Sequence, residues 1–115
     1  MNRSLTTEKL LLEASAMELY EDLVRQLNKD FIRSGVDQEF NIGIKPKSLA
    51  RSLVAVLFEL ITGDFEAYLN LLYVIDLSEK SVKDLPEQRV DEVAHAIALL
   101  ILQREWKKIL FRNRH

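Results

Sequence analysis

Apolar residues in the first third of the chain recur with the helical period. At 100° per residue Leu12, Ala16, Leu19, Tyr20, Leu23, Leu27 and Phe31 share one stripe, and Glu18, Asp22, Arg25, Lys29 and Arg33 cluster opposite. Hydroxyls at Ser4 to Thr7 suit an N-terminal cap, and Arg33-Ser34-Gly35 suits a helix end, so the pattern predicts one long helix over residues 4–33. Its charged side pairs Glu21 and Asp22 with Arg25 and reads as a solvated surface. The period breaks over residues 35–47, where two glycines, a proline and the alternation Phe40-Asn41-Ile42-Gly43-Ile44 predict an extended connector laid onto the bundle.

Ser48 then caps a second helix ending at Thr62-Gly63. It is apolar except for a narrow arc of Arg51, Ser52, Glu59 and Thr62, which predicts a central position. Asp64 caps a third with the stripe Phe65, Tyr68, Leu69, Leu72 and Ile75. Residues 77–85 read as a short helical turn, and Pro86 opens a last helix running to about Arg112. At 1.5 Å per residue the outer helices are each ~40 Å long and the middle two ~20 Å. The expectation is an all-α fold, a single compact helical bundle over residues 1–115 with two long and two short main helices.

The last helix does not keep one apolar stripe. Val90, Val93, Ala94, Ile97, Leu100 and Ile101 align in its first half, but the same line continues into Arg104 and Lys108, which need water or an acidic partner. On the opposite side, beyond His95, a second stripe of Leu99, Leu102, Trp106, Ile109 and Leu110 includes the sole tryptophan. Each such side chain is worth ~1.5–3 kcal/mol when buried, so the stripe calls for a cover. Two covers fit: the chain's own Leu5, Leu10 and Leu11, which lie off the main stripe of the first helix, or a second copy. The second predicts a homodimer through Leu99, Leu102, Trp106, Ile109 and Leu110.

Charge adds a polarity. From Arg104 onward Arg104, Lys107, Lys108, Arg112 and Arg114 face one acid, Glu105, which leaves 11 basic and 17 acidic residues, a net −6, in the first 103. The helix macrodipole favours such a basic end, at ~0.3–1 kcal/mol per residue. The same residues suit the rim of a contact with an acidic protein. Nucleic acid is the weaker reading, because residues 64–76, the recognition helix of a notional helix-turn-helix, contain no Lys or Arg.

Little catalytic chemistry is legible. Zero Cys removes thiol nucleophiles, disulfides and cysteine metal sites and fits a reducing cytoplasm. No Gly-x-Ser-x-Gly or phosphate-binding glycine motif occurs. Glu92 and His95 make a Glu-x-x-His step of the type that ligates metal in di-iron bundles, but the other histidine is His115 and no second such step exists. Tyr20, Tyr68 and Tyr73 interleave with apolar stripes and read as core or core-edge residues. The longest apolar run, residues 96–102, is seven long against the ~20 needed to span a bilayer. No signal-peptide core follows Met1-Asn2-Arg3-Ser4. The sequence therefore predicts a small cytoplasmic interaction module without cofactor or membrane span. A Glu92/His95 metal protein or enzyme is the alternative from another class, and a nucleic-acid-associated protein acting through its basic end is a second.

Overall fold

A computed structural model describes residues 3–114, with side chains from Thr6 onward. Six helices and no strand occur among them: α1 (Arg3–Ala16), α2 (Tyr20–Ser34), α3 (Pro46–Gly63), α4 (Phe65–Ile75), α5 (Glu79–Lys83) and α6 (Val90–Arg112). The all-helical bundle is as the sequence predicts. Its extents are 37 × 32 × 26 Å.

The first predicted helix is two. After Ala16 the chain turns at Met17-Glu18-Leu19, with Glu18 in the left-handed region at φ 59°. Leu19 N–H bonds the Ala14 carbonyl at 2.9 Å and Glu18 N–H the Ser15 carbonyl at 3.0 Å, the pair of bonds of a Schellman ending. The turn has a packing cause. Leu11 and Ala14 are buried on α1 while Leu12 points to solvent, and in a continuous helix Leu11 and Ala14 would face away from Leu23, Leu27 and Phe31. The break folds α1 back so that both sets reach one core.

α2 ends as expected at Gly35, φ 82°, whose N–H bonds the Ile32 carbonyl while Val36 N–H bonds that of Phe31. Residues 35–45 then run without regular structure, strapped to α2. Asn28 accepts from Phe40 N–H at 2.7 Å and donates to its carbonyl at 2.8 Å, so both backbone groups of a buried residue are satisfied by one side chain. The Phe40 ring sits edge-on to Phe31, and Tyr20 donates to the Ile44 carbonyl at 2.6 Å. Burial pushes the Tyr20 hydroxyl up to about 12, so it keeps its proton for that bond.

Two predicted starts move. α3 begins at Pro46, with Lys45 rather than Ser48 in the cap position, and α6 begins at Val90, four residues past Pro86. Ser4 and Leu5, expected to cap and to cover, have side chains outside the described set. Asp64 alone joins α3 to α4, and its Oδ1 accepts from Ala67 N–H at 3.2 Å. Nor is α3 the central helix: it fully buries only Leu49, Leu53 and Leu57. That place belongs to α6, which packs on α1, α2, α3 and α4 and buries ten residues, more than any other described helix.

Candidate functional site

The second stripe of α6 is covered by its own chain. Leu99, Leu102, Trp106 and Ile109 are buried and Leu110 is half-buried. Trp106, 5% exposed, donates its indole N–H to Glu13 Oε2 on α1 at 3.0 Å. Of the two covers open to the sequence, the folded-back N-terminal helix is the one in place, with Leu11 buried and Leu10 half-buried against the core. These residues are therefore not a free surface, because the turn at Glu18 returns α1 across them.

The basic continuation of the first stripe also finds its acids within the chain. Arg104 bonds Asp76, through its carbonyl at 3.2 Å and Oδ2 at 3.1 Å. Lys108 Nζ donates to Asp30 Oδ2 at 2.8 Å and stands 2.9 Å from Glu105 Oε1. Two of the five basic residues thus serve the fold, while Lys107, Arg112 and Arg114 stay exposed, Arg112 donating to Gln26 Oε1 at 2.6 Å. No Lys or Arg lies on α4, as the sequence shows, so a nucleic-acid reading gains nothing here.

Asp30 and Glu105 are both fully buried between α2 and α6, a pairing that no motif in the sequence marks. Lys108 is the one cation beside the buried Glu105 carboxyl, and a proton on Glu105 can be shared with the Asp30 carboxylate. Burial, reinforced by the Asp30 carboxylate, pushes Glu105 up to about 8, with Lys108 opposing. Burial also works to raise Asp30, but hydrogen bonds from Glu105, Lys108 and Gln26 outweigh it and hold Asp30 below its ordinary value. The signal for Glu105 was its register: it lies on the four-residue line between Ile101 and Ile109, both buried.

Glu92 and His95 remain exposed on α6, and Asp91, the nearest extra ligand, is ion-paired to Arg89 at 2.8 Å. Among the described residues no three His, Cys, Asp or Glu side chains form a group able to hold a metal, and no helix is long and apolar enough to cross a membrane.

Two surfaces remain for binding. α4 is apolar apart from Glu66 and Asn70, yet only Tyr68, Leu71, Leu72 and Ile75 are buried. Phe65, Leu69 and Tyr73, all expected in the core or at its edge, instead form an outward stripe at four-residue spacing, 53%, 50% and 83% exposed. The other surface is a groove of about 650 Å³ between α1, the start of α3 and the middle of α6. Ala50 and Ala98 are among its lining residues where these helices meet. Comparison of the chain with protein-family models, curated proteins and solved structures finds no match.

Proposed function

We propose that the protein is a small, non-catalytic, cytoplasmic association module, and that its partner surface is the outer face of α4 rather than the second stripe of α6. The observation that carries this reading is the exposed Phe65/Leu69/Tyr73 stripe on a helix otherwise built for burial. Removing such side chains from water is worth ~1.5–3 kcal/mol each, which makes three in a row a costly surface for a chain that works alone. A stripe at positions i, i+4 and i+8 of a straight helix is suited to a two-fold contact, in which the same residues of a second copy cross it. Glu66 and Asp64 flank the stripe and would orient such a contact or repel wrong partners. The absence of cysteine supports the cytoplasmic assignment.

Light scattering across a hundredfold range of concentration tests it. The dimer mass is expected for the wild type and the monomer mass for Leu69→Lys/Tyr73→Lys, with helical content unchanged in both. A wild type that stays monomeric at the highest concentration overturns the reading.

A further inference from the structure

We infer that the groove between α1, α3 and α6 binds an apolar chain with an anionic head, of the alkyl carboxylate class. The volume comes first: about 650 Å³ falls within the range of small-molecule sites. Its floor and walls are Leu11, Leu12, Val54, Ala98 and Leu102, and Leu12 stands 65% exposed at the edge, an apolar wall with nothing against it among the described residues.

The rim is not neutral. Lys45, Lys47 and Arg51 line one side, all on the first two turns of α3 or just before it. Glu8 is the one acid on this rim and is taken up by Lys47 at 4.0 Å, whereas no ion pair occupies Lys45 or Arg51 among the described residues. The groove therefore carries an excess of cations beside an apolar floor. That combination rewards a ligand with one negative end and penalises one with a positive end.

The floor also has a direction. A second depression of about 410 Å³ shares Arg51, Val54 and His95 with the first and continues over Ala55 and Phe58, where Glu59 and the Arg89-paired Asp91 line it, so the cationic excess lies at the Lys45/Lys47/Arg51 end alone. From Lys47 to Phe58 along α3 the trough runs about 16 Å at 1.5 Å per residue. A head at the Lys45/Lys47/Arg51 rim places an extended alkyl tail over Val54 toward the exposed Phe58 ring. None of the lining residues lies on α4, so this site is independent of the association surface proposed above.

Trp106, the sole tryptophan, lies one turn from Leu102 and bonds α1 next to Leu12, which makes its emission a built-in reporter. The experiment titrates laurate, dodecanol and dodecyltrimethylammonium, each below its micelle concentration, into the full chain, with calorimetry for stoichiometry. Laurate is expected to bind one per chain and at least tenfold more tightly than dodecyltrimethylammonium, with dodecanol between. Lys45→Glu/Arg51→Glu is expected to reverse that order, and Leu12→Glu to weaken all three probes. Both variants alter exposed positions, and helical content checked by circular dichroism separates loss of binding from loss of fold. The proposal is overturned if laurate fails to bind below millimolar concentration, or binds no better than the cation, or is indifferent to the charge reversal. A dimer that Leu12→Glu converts to monomer would give the groove to a second copy and overturn it equally.

Discussion

A glutamate with no exposed surface, set against an aspartate equally hidden, keeps its proton where a free glutamate would have lost it. The charges that face this pair are Arg33 on α2, 3.8 Å from Asp30, and Lys108 on α6, with Gln26 bridging to Arg112. One cation directly between two carboxyls suits one negative charge, not two, so Glu105 is the group that stays neutral. Its pKa is raised from 4.5 unfolded to about 8 folded, so the native state binds the extra proton between those values. Stability from this group is complete below about pH 4.5 and is lost as pH rises toward 8. Asp30 runs the other way, and its contribution fades only as pH falls below 3.8. Urea unfolding at pH 5 and pH 8 is expected to show the wild type less stable at the higher pH by a few kcal/mol at most. Glu105→Gln, which keeps the shape and the donor but cannot ionise, is expected to remove most of that difference. An unchanged slope in the variant would assign the pH dependence elsewhere. This site was half legible: the register of Glu105 between Ile101 and Ile109 was visible, but the aspartate 75 residues earlier that shares its proton was not, because pairing across helices depends on the arrangement of helices.

At the scale of elements, the caps at Gly35 and Asp64 were readable, those expected at Ser48 and Pro86 were displaced, and a break without glycine or proline was not readable. Gly35 ends α2 and Asp64 starts α4 as their types suggest, since one tolerates positive φ and the other accepts a backbone N–H. The turn at residues 17–19 carries neither signal, and the apolar stripe from Leu12 to Phe31 passes straight through it. What marks the break is a change of phase, Leu11 and Ala14 lying opposite the buried residues of α2. The off-stripe leucines that suggested an internal cover were the same signal seen from the other side. For an L-residue the left-handed conformation at Glu18 costs ~1–2 kcal/mol, which a glycine avoids at some cost in unfolded-state entropy. Glu18→Gly is therefore expected to leave stability equal or raise it by ~0.5–1 kcal/mol, and Glu18→Val to lower it by ~1 kcal/mol or more. Denaturant midpoints check both, and a loss in the glycine variant would mean that the turn does not persist in solution. α6 shows the complementary case. Its change of face was legible from residues 90–110, but which neighbour met each face was not, because that depended on the unseen turn.

The whole molecule is a rod wrapped by its own chain, and its charge polarity is partly spent inside. Arg104 to Asp76 and Lys108 to Asp30 tie the basic end of α6 to α2 and to the end of α4, so the net basic excess seen in sequence is smaller at the surface. If the α4 faces pair, folding and association are linked, and the melting temperature of the wild type should climb with protein concentration while that of the Leu69→Lys/Tyr73→Lys variant stays flat.

The single-residue corner at Asp64 has a consequence for how this chain tolerates changes in length. An alanine inserted there turns every following side chain of α4 by about 100°, swinging Leu71 and Leu72 out of the core. The same insertion between Asp37 and Gln38 lengthens an irregular stretch of the connector and costs only a few tenths of a kcal/mol in closure entropy. Urea midpoints should fall sharply for the first and barely move for the second. The bundle is thus permissive of extra residues on one flank and keyed to an exact count on the other, and lineages of such chains should drift in length around residue 37 while the corner stays one residue wide.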